Sequence, residues 1–423
     1  MLSKIVIENF RSIKNRIEFS FEATSFKEHV ANVAQMKNSQ ILKSSVIYGA
    51  NASGKSNVLK AFKAVDYLIL RSASFTPKKA IDPYEPFLLD QHSRKKPVKL
   101  ELDFYIENIL YTFKIEFLEY EVIREELIFK PKRQSSTIYS RVKNTPIYFG
   151  EYYRGERKSI EKKLLPNQLF LSKAVLDNVE ILTPVYNFFE EKVASYPFFE
   201  DFHENRLQQL YARRLADVDD TEFSEKFNRL ICALDTGIIR VKSESIDWKN
   251  NILPDDLPES VKERIKEDYK YRIKTIHNVY ENDNLSGEIS FDKDEESKGT
   301  QRLFVLAGII LDAFEDGTIL IIDEFEKNLH PHITKSLIKL FHNPEVNKKN
   351  AQLIFATHDL SQLDSNIFRR DQIWFAEKNE RGETDLFSLA EIKGIRNNIP
   401  FDKWYDSGKF GATPIINELE MSL

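Results

Sequence analysis

Residues 44–70 read SSVIYGANASGKSNVLKAFKAVDYLIL, and this stretch decides the fold. Ser44 to Tyr48 is an apolar run suited to a buried strand, and from Ser56 onward a helical pattern takes over. Between them, Gly49-Ala50-Asn51-Ala52-Ser53-Gly54-Lys55-Ser56 fits the phosphate-loop pattern of glycine, four residues, then Gly-Lys-Ser. The physical need is clear. Glycines let the backbone wrap closely with its N–H groups pointing inward, and the following helix N-terminus favours negative charge. Lys55 would place a point charge on the β and γ phosphates of a nucleotide, and the Ser56 hydroxyl would ligate Mg²⁺. Gly49, Asn51, Ala52, Ser53, Gly54, Lys55, Ser56 and Asn57 are therefore the nucleotide-binding candidates. A chance glycine-rich turn is the bland alternative, and the strand and helix on its two flanks speak against it.

Working outward, ILIIDE at residues 319–324 is a buried strand that delivers two carboxylates at its C-terminal end, where ligands sit in open α/β sheets. Asp323 is the candidate for holding Mg²⁺, and Glu324 the candidate for orienting and deprotonating an attacking water. Acids also end apolar strands simply by reaching solvent. FATHD at 355–359 ends another apolar strand, so His358 is either a γ-phosphate sensor or a structural histidine. Ser297-Lys298-Gly299-Thr300-Gln301-Arg302 opens the helix ahead of ILIIDE, and its unpaired first-turn N–H groups make it either a second phosphate site or a plain cap.

The organisation reads in three parts. Residues 1–184 hold KIVIENF, RIEFSFE and a meander from Val98 to Phe129, with a hairpin turn at Glu107-Asn108 and extensions through STIYSRV and PIYFGEYY. Residues 185–290 are mainly helical (YNFFEEKV, RLQQLYARRL, EFSEKFNRLICALD), then turn-rich at NILPDDLPES, then short strands leading to GEISFD. Residues 291–423 alternate helix and strand, which predicts a mostly parallel sheet. Over the 423 residues, 42% hydrophobic and 30% charged describe an ordinary globular chain, and 61 Lys plus Arg against 66 Asp plus Glu exclude a generic polycation for nucleic acid. The one cysteine, Cys232, can form neither an internal disulfide nor a thiolate metal site, which points to a reducing, cytoplasmic setting. The N-terminal charges Lys4, Glu8, Arg11 and Lys14 leave no signal-peptide core, and the apolar run Leu303 to Leu311 falls short of the ~20 residues that span a bilayer.

Taken together, IENFRSI, YGANASGKSN, SKGTQR, IIDEFEKNLHP and FATHD resemble the RecF/SMC-like branch of ABC ATPases. With NAQLIFATHD, RRDQIWFAEK and GKFGATP, the chain looks more closely like the soluble AAA-family ATPases of bacterial anti-phage islands, the RloA, AbiLi and AriA type; OLD nucleases are more distant. The resemblance covers both ends and little of the helical middle. It implies an α/β, ABC-type P-loop ATPase head with a mostly parallel core sheet, an antiparallel β subdomain and a helical insertion. It implies ATP and Mg²⁺ as cofactors, with two heads sandwiching two nucleotides, and Ser297 and Gly299 of one chain reaching the γ-phosphate held by the other. It also implies that Arg11 approaches the nucleotide and that Glu326–Pro331 forms the loop after the catalytic glutamate. The signature departs from the family in carrying Lys298 where a second glycine is usual. Gln91 is a candidate, by order alone, for the glutamine that follows the first helix.

The leading functional expectation is an ATP-hydrolysing sensor or regulator of anti-phage defence that acts as a homodimer or larger homo-oligomer. It would control a separate nuclease- or toxin-like effector. Its catalytic residues would be Lys55, Glu324 and His358. A RecF-like repair ATPase on nucleic acid is the alternative, with basic clusters at Lys130–Arg133, Arg154–Lys163 and Arg94–Lys96, and a nucleotide switch that rarely hydrolyses is a third. After His358 two strands and a tail remain, too little for an added nuclease domain of ~100 residues. Asp217, Asp219, Asp220 and Glu222 read as a solvated helix start. The expectation is therefore that the chain by itself cleaves no nucleic acid and inserts in no membrane.

Overall fold

In a computed structural model, which describes residues 1–196, 201–234, 237–248, 253–254, 256–395 and 400–413, the strand Ser44–Tyr48 is buried at every position. It lies between Gln352–Ala356 and Ile373–Lys378, parallel to both. The sheet runs Val193–Tyr196, Ile319–Ile322, Gln352–Ala356, Ser44–Tyr48, Ile373–Lys378, Thr384–Ser388, and only its last pair is antiparallel. Continuously apolar strands such as ILII and QLIFA are what a sheet covered on both faces requires. Because the strands are parallel, the loop from Gly49, the Asp323-Glu324 pair and His358 all leave the sheet at one edge.

The alternating strands of the first third form a second, seven-stranded antiparallel sheet: Tyr148–Phe149, Ser136–Val142, Val122–Lys130, Ile109–Phe117, Val98–Ile106, Leu2–Glu8, Ile17–Ser20. Glu107 and Asn108 turn the hairpin with φ 47° and 68°, as a two-residue turn matching strand twist requires. Only Tyr148–Phe149 of PIYFGEYY is strand. The helix Lys55–Arg71 packs on Leu2–Glu8 of this sheet and on Val193–Tyr196 and Gln352–Ala356 of the other. Its buried residues Val58, Leu59, Ala61, Phe62, Val65, Leu68 and Ile69 accordingly spread over about half of its circumference. The fold is the mixed one that the sequence predicts, a mostly parallel core sheet with an antiparallel β subdomain.

The chain divides into two compact units: Met1–Pro197, Asp316–Phe325 and Lys335–Leu423 form the first, and Phe198–Glu315 with Glu326–Thr334 form the second. The second unit holds the helices Asp201–Ala216, Thr221–Ala233 and Glu259–Asp268, and a three-stranded antiparallel sheet of Arg240–Ser245, Tyr271–Glu281 and Asn284–Asp292. Its strands are longer than the short ones read from sequence; they are mostly polar, with Ile273, Thr275 and Ile276 the buried residues of Tyr271–Glu281. The helix Thr183–Lys192, read as the start of the helical middle, belongs to the first unit. Asp235, Asn251, Ile252 and Asp255 of the quoted middle segments, and Pro414 of GKFGATP, lie outside the described residues.

The buried strand Ser44–Tyr48 is tied to its surroundings by polar groups as well. Gln372 Nε2 donates to the Ser44 carbonyl (3.0 Å) and to its Oγ (2.8 Å), and that Oγ lies 2.7 Å from His342 Nε2. Asn32 Nδ2 donates to Gln372 Oε1 (2.7 Å). Burial, with the charges of His29 and Lys43 nearby, pulls His342 down to about 3, so its imidazole is neutral in the folded chain. An unfolded histidine titrates near ~6.5, so between the two values the unfolded state binds the extra proton and stability falls as pH falls. His342→Gln is therefore expected to flatten the acid-side loss of stability by up to ~1.4 kcal/mol per pH unit below pH ~6.5. Urea midpoints at pH 7 and pH 5 for both chains measure this; equal slopes would contradict it.

Candidate nucleotide-binding site

The loop after Tyr48 is held open by contacts that leave no room for side chains at its glycines. A Cβ on Gly49 would meet the Ala376 carbonyl oxygen at 2.3 Å, and one on Gly54 would meet Thr384 Oγ1 at 2.2 Å, with φ of 110° at Gly54. Ala52 is also left-handed, at φ 63°. Lys55 Nζ reaches back across the loop to the carbonyls of Gly49 (2.7 Å) and Ala50 (3.0 Å), so its charge lies at the mouth of the cradle. Helix Lys55–Arg71 then starts with its first-turn N–H groups at the same place.

Asp323 and Glu324 leave strand Ile319–Ile322 with different environments. Asp323 is buried, and burial pushes its carboxyl above the ordinary aspartate value, against a hydrogen bond from Ser56 and the charge of Lys55; the neighbouring Glu324 charge adds to the rise. Glu324 is exposed and sits in the left-handed region at φ 48°, its N–H donating to Asp323 Oδ1 (3.1 Å). One acid is thus turned inward beside a loop hydroxyl and the other outward. A hydroxyl and a buried carboxylate in contact fit a small hard cation that takes oxygen ligands and keeps much of its water, as Mg²⁺ does. The remaining ligands would come from water and phosphate oxygens, with Ser56 and Asp323 as the protein's share.

His358 follows strand Gln352–Ala356 and is exposed. It lines a cleft of about 830 Å³ together with Gly49–Ser53. Arg11 (φ 54°) donates through Nε to Asn57 Oδ1 (2.8 Å) and through Nη1 to both Glu85 oxygens (2.7 and 2.6 Å). The structure therefore gathers Arg11, Gly49–Asn57, Asp323, Glu324 and His358 within the first unit. Ser297 and Gly299 belong to the second. Ser297 Oγ accepts from the Thr300 N–H (3.1 Å), which is the cap geometry, and a Cβ on Gly299 would lie 2.6 Å from the Asn328 carbonyl oxygen. Gly299 is thus packed against the segment that follows the acidic strand. Gln91 is exposed in the turn before Ser93–Lys95.

One residue packed on this loop, Thr384, belongs to none of the motifs. Thr384 Oγ1 donates to the Ser53 carbonyl (2.8 Å) and lies 2.8 Å from Ser12 Oγ, its N–H donates to the Ser12 carbonyl (2.7 Å), and Asn57 Nδ2 donates to Ser12 Oγ (2.6 Å). Ser12 stands in the quoted FRS; Thr384, a threonine opening an edge strand, gave no signal at all.

A family model described as "AAA domain, putative AbiEii toxin, Type IV TA system" matches residues 44–364. The chain belongs to that family. Its AAA domain as matched takes in the phosphate loop, the acidic strand and His358, and leaves residues 1–43, with Arg11, and 365–423, with Thr384, outside. No curated protein matches the sequence. Similar solved structures include an SMC head bound to the C-terminal winged-helix domain of ScpA, with 13% identity, 92% of this chain and 97% of that chain covered, and a TM-score of 0.46. An SMC head domain from Thermotoga maritima has 13% identity, 92% and 98% coverage and a TM-score of 0.39. An SMC head with an extended coiled coil, bound to the C-terminal domain of ScpA derived from Pyrococcus furiosus, has 12% identity, 92% and 96% coverage and a TM-score of 0.39. Among the described residues, no helix of this AAA-domain protein is long and apolar enough to cross a membrane.

The packing at Gly54 makes a direct prediction. Gly54→Ala adds backbone strain and a clash with Thr384, and is expected to cost ~2 kcal/mol or more. Combining it with Thr384→Ala relieves the clash and leaves the strain, so the double variant should be less destabilised than the sum of the singles. Urea unfolding of the four chains reads this, and strict additivity would contradict it.

Proposed function

We propose that this AAA-domain protein binds Mg²⁺–ATP on the Gly49–Ser56 loop and hydrolyses it as the regulator of an anti-phage defence pair. Two copies would sandwich the nucleotides and a separate effector would do the harm. The observation that carries the nucleotide reading is the contact of the Ser56 hydroxyl with buried Asp323, on the strand next but one to the loop's own, beside the charge of Lys55. The toxin–antitoxin description of the family supports the defence context. The repair alternative is less favoured, because the basic clusters are partly spent locally. Arg154 Nη1 donates to the Glu151 and Tyr153 carbonyls, Arg157 lies over the rings of Phe149 and Tyr153, and Arg94 Nε donates to the Leu88 carbonyl.

In this reading Lys55 leaves its loop carbonyls for the β and γ phosphates. Ser56 and Asp323 would hold Mg²⁺, which would supply neutralisation of the phosphate charge. Glu324, turned outward by its left-handed backbone, orients a water and takes its proton. The water oxygen bonds to the γ-phosphorus as the bond to the β–γ bridging oxygen breaks, releasing ADP and phosphate. His358 donates to the γ-phosphate oxygens from the side. Ser297 and Gly299 of a second copy close the site, and Arg11 stands at the α-phosphate end beside Asn57.

Mixing tests both halves of the proposal. Lys55→Ala should abolish ATP binding in an equilibrium titration while the chain stays folded. Ser297→Arg should bind ATP and fail to turn it over. A mixed dimer of the two rebuilds one composite site, so partial recovery of ATPase activity is expected. No recovery despite confirmed subunit exchange would contradict the shared site, and unchanged binding by Lys55→Ala would contradict the loop assignment.

A further inference from the structure

The phosphate loop is also held by residues beyond its own motif, among them Glu377 of RRDQIWFAEK and Ala412 of GKFGATP. The short helix Phe401–Asp406 and the turns after it pack an aromatic group on the end of strand Ile373–Lys378: Tyr405 stacks on Phe375 (ring centroids 5.5 Å), and Phe410 meets Phe375 (5.6 Å), Trp404 (6.0 Å) and Phe401 (6.5 Å). These rings are anchored so that Ala412 arrives at the loop. The Ala50 N–H, on the second residue of the loop, donates to the Ala412 carbonyl (3.2 Å). The same carbonyl accepts from the Tyr405 hydroxyl (2.7 Å), and the Ala412 N–H donates to Glu377 Oε1 (3.3 Å).

Ala412 has φ 56°, a left-handed conformation that a residue with a Cβ adopts at a cost. Such strain persists where surrounding contacts over-determine it, and at functional sites it often serves to aim a group. Here three hydrogen bonds fix one residue, through the two peptide units that flank its Cα: two involve side chains on buried or strand-held positions and the third comes from the loop itself. Tyr405 is buried, and burial, with the nearby Glu377 charge, pushes its hydroxyl up to about 12, so it remains a donor throughout the working range. Tyr405, Ala412 and Glu377 also line the same cleft, or the strand end beside it, as Gly49–Ser53 and His358.

We propose that Tyr405 and Glu377 are positioning residues of the phosphate loop, acting through the strained Ala412 peptide to hold the first turn of the loop in its nucleotide-accepting shape. The effect on nucleotide affinity rests on the ATP reading given above; the effect on the loop backbone does not. A segment outside the matched AAA domain thus sets the geometry of that domain's phosphate cradle. Any event that displaces Ala412 would loosen the loop without touching a residue of Gly49–Ser56.

The test uses the full chain with Tyr405→Phe, which removes the hydroxyl and keeps the ring. Phe410→Leu serves as a comparison that weakens the same aromatic group and leaves the hydrogen bonds. Hydrogen exchange of peptides spanning residues 45–54, without nucleotide, reads the loop directly. Tyr405→Phe is expected to speed exchange there several-fold and to weaken ATP binding about fivefold, the weight of one hydrogen bond. Phe410→Leu is expected to lower the melting temperature with little change in either. Glu377→Ala should weaken ATP binding similarly, and the double variant with Tyr405→Phe should lose less than the product of the two, because both hold the one strained residue Ala412. Unchanged exchange in Tyr405→Phe overturns the proposal. So does faster exchange in both Tyr405→Phe and Phe410→Leu in proportion to lost stability, or unchanged ATP affinity where the unaltered chain binds ATP. If the unaltered chain binds no ATP, the nucleotide reading fails, and the exchange result alone decides the role of Tyr405.

Discussion

Everything at the candidate site depends on one constraint, the complete burial of Ser44–Tyr48 between two parallel partners. Five buried residues in a row can be satisfied only by neighbours on both sides, and both come from the last third of the chain. The strand's direction then decides that the loop at Gly49 leaves the sheet where Asp323, Glu324 and His358 leave it. Polar bonds reinforce the arrangement: Gln372 and His342 grip Ser44 at the start of the strand, and Thr384 and Ser12 grip Ser53 and Asn57 just past its end. These contacts tie the loop to its surroundings, and a loop so held pays less ordering cost on binding a ligand.

The division of labour between neighbouring acids follows from the same geometry. A strand alternates its side chains, but at its exit the left-handed Glu324 breaks the alternation, turning one carboxylate into the loop and the other out to solvent. Asp323 sits where desolvation disfavours its charge, a cost that a bound cation would offset. Strain at Glu324 and at Ala412 brackets the loop from two sides. Both residues carry a Cβ in a region that glycine prefers, and both are held there by specific hydrogen bonds.

Much of this was legible in the residues. The loop, the two apolar strands ending in acid and histidine, and the Glu107-Asn108 hairpin each depend on local pattern, so sequence alone located them. Ser297 was readable as a cap or as a ligand site, and its hydroxyl does cap the helix, which leaves its second role to experiment. What stayed hidden came from far along the chain and from ordinary residue types. Nothing in a threonine at 384 or an alanine at 412 announces a partner more than 300 positions away, and only the closed sheet brings them to Ser53 and Ala50. The hairpin Tyr271–Asp292 differs from the sequence reading for another reason: its burial is sparse, so its alternation is weak.

The claim most exposed to measurement is that Glu324 is the base of an ATP-hydrolysing site. Steady-state phosphate release should be compared between the unaltered chain and Glu324→Gln in the presence of Mg²⁺, with ATP binding checked for both. The account predicts that binding is kept and turnover falls by ~10²–10⁴-fold, the usual weight of a general base. A Glu324→Gln chain that binds ATP and hydrolyses it at the unaltered rate would contradict it.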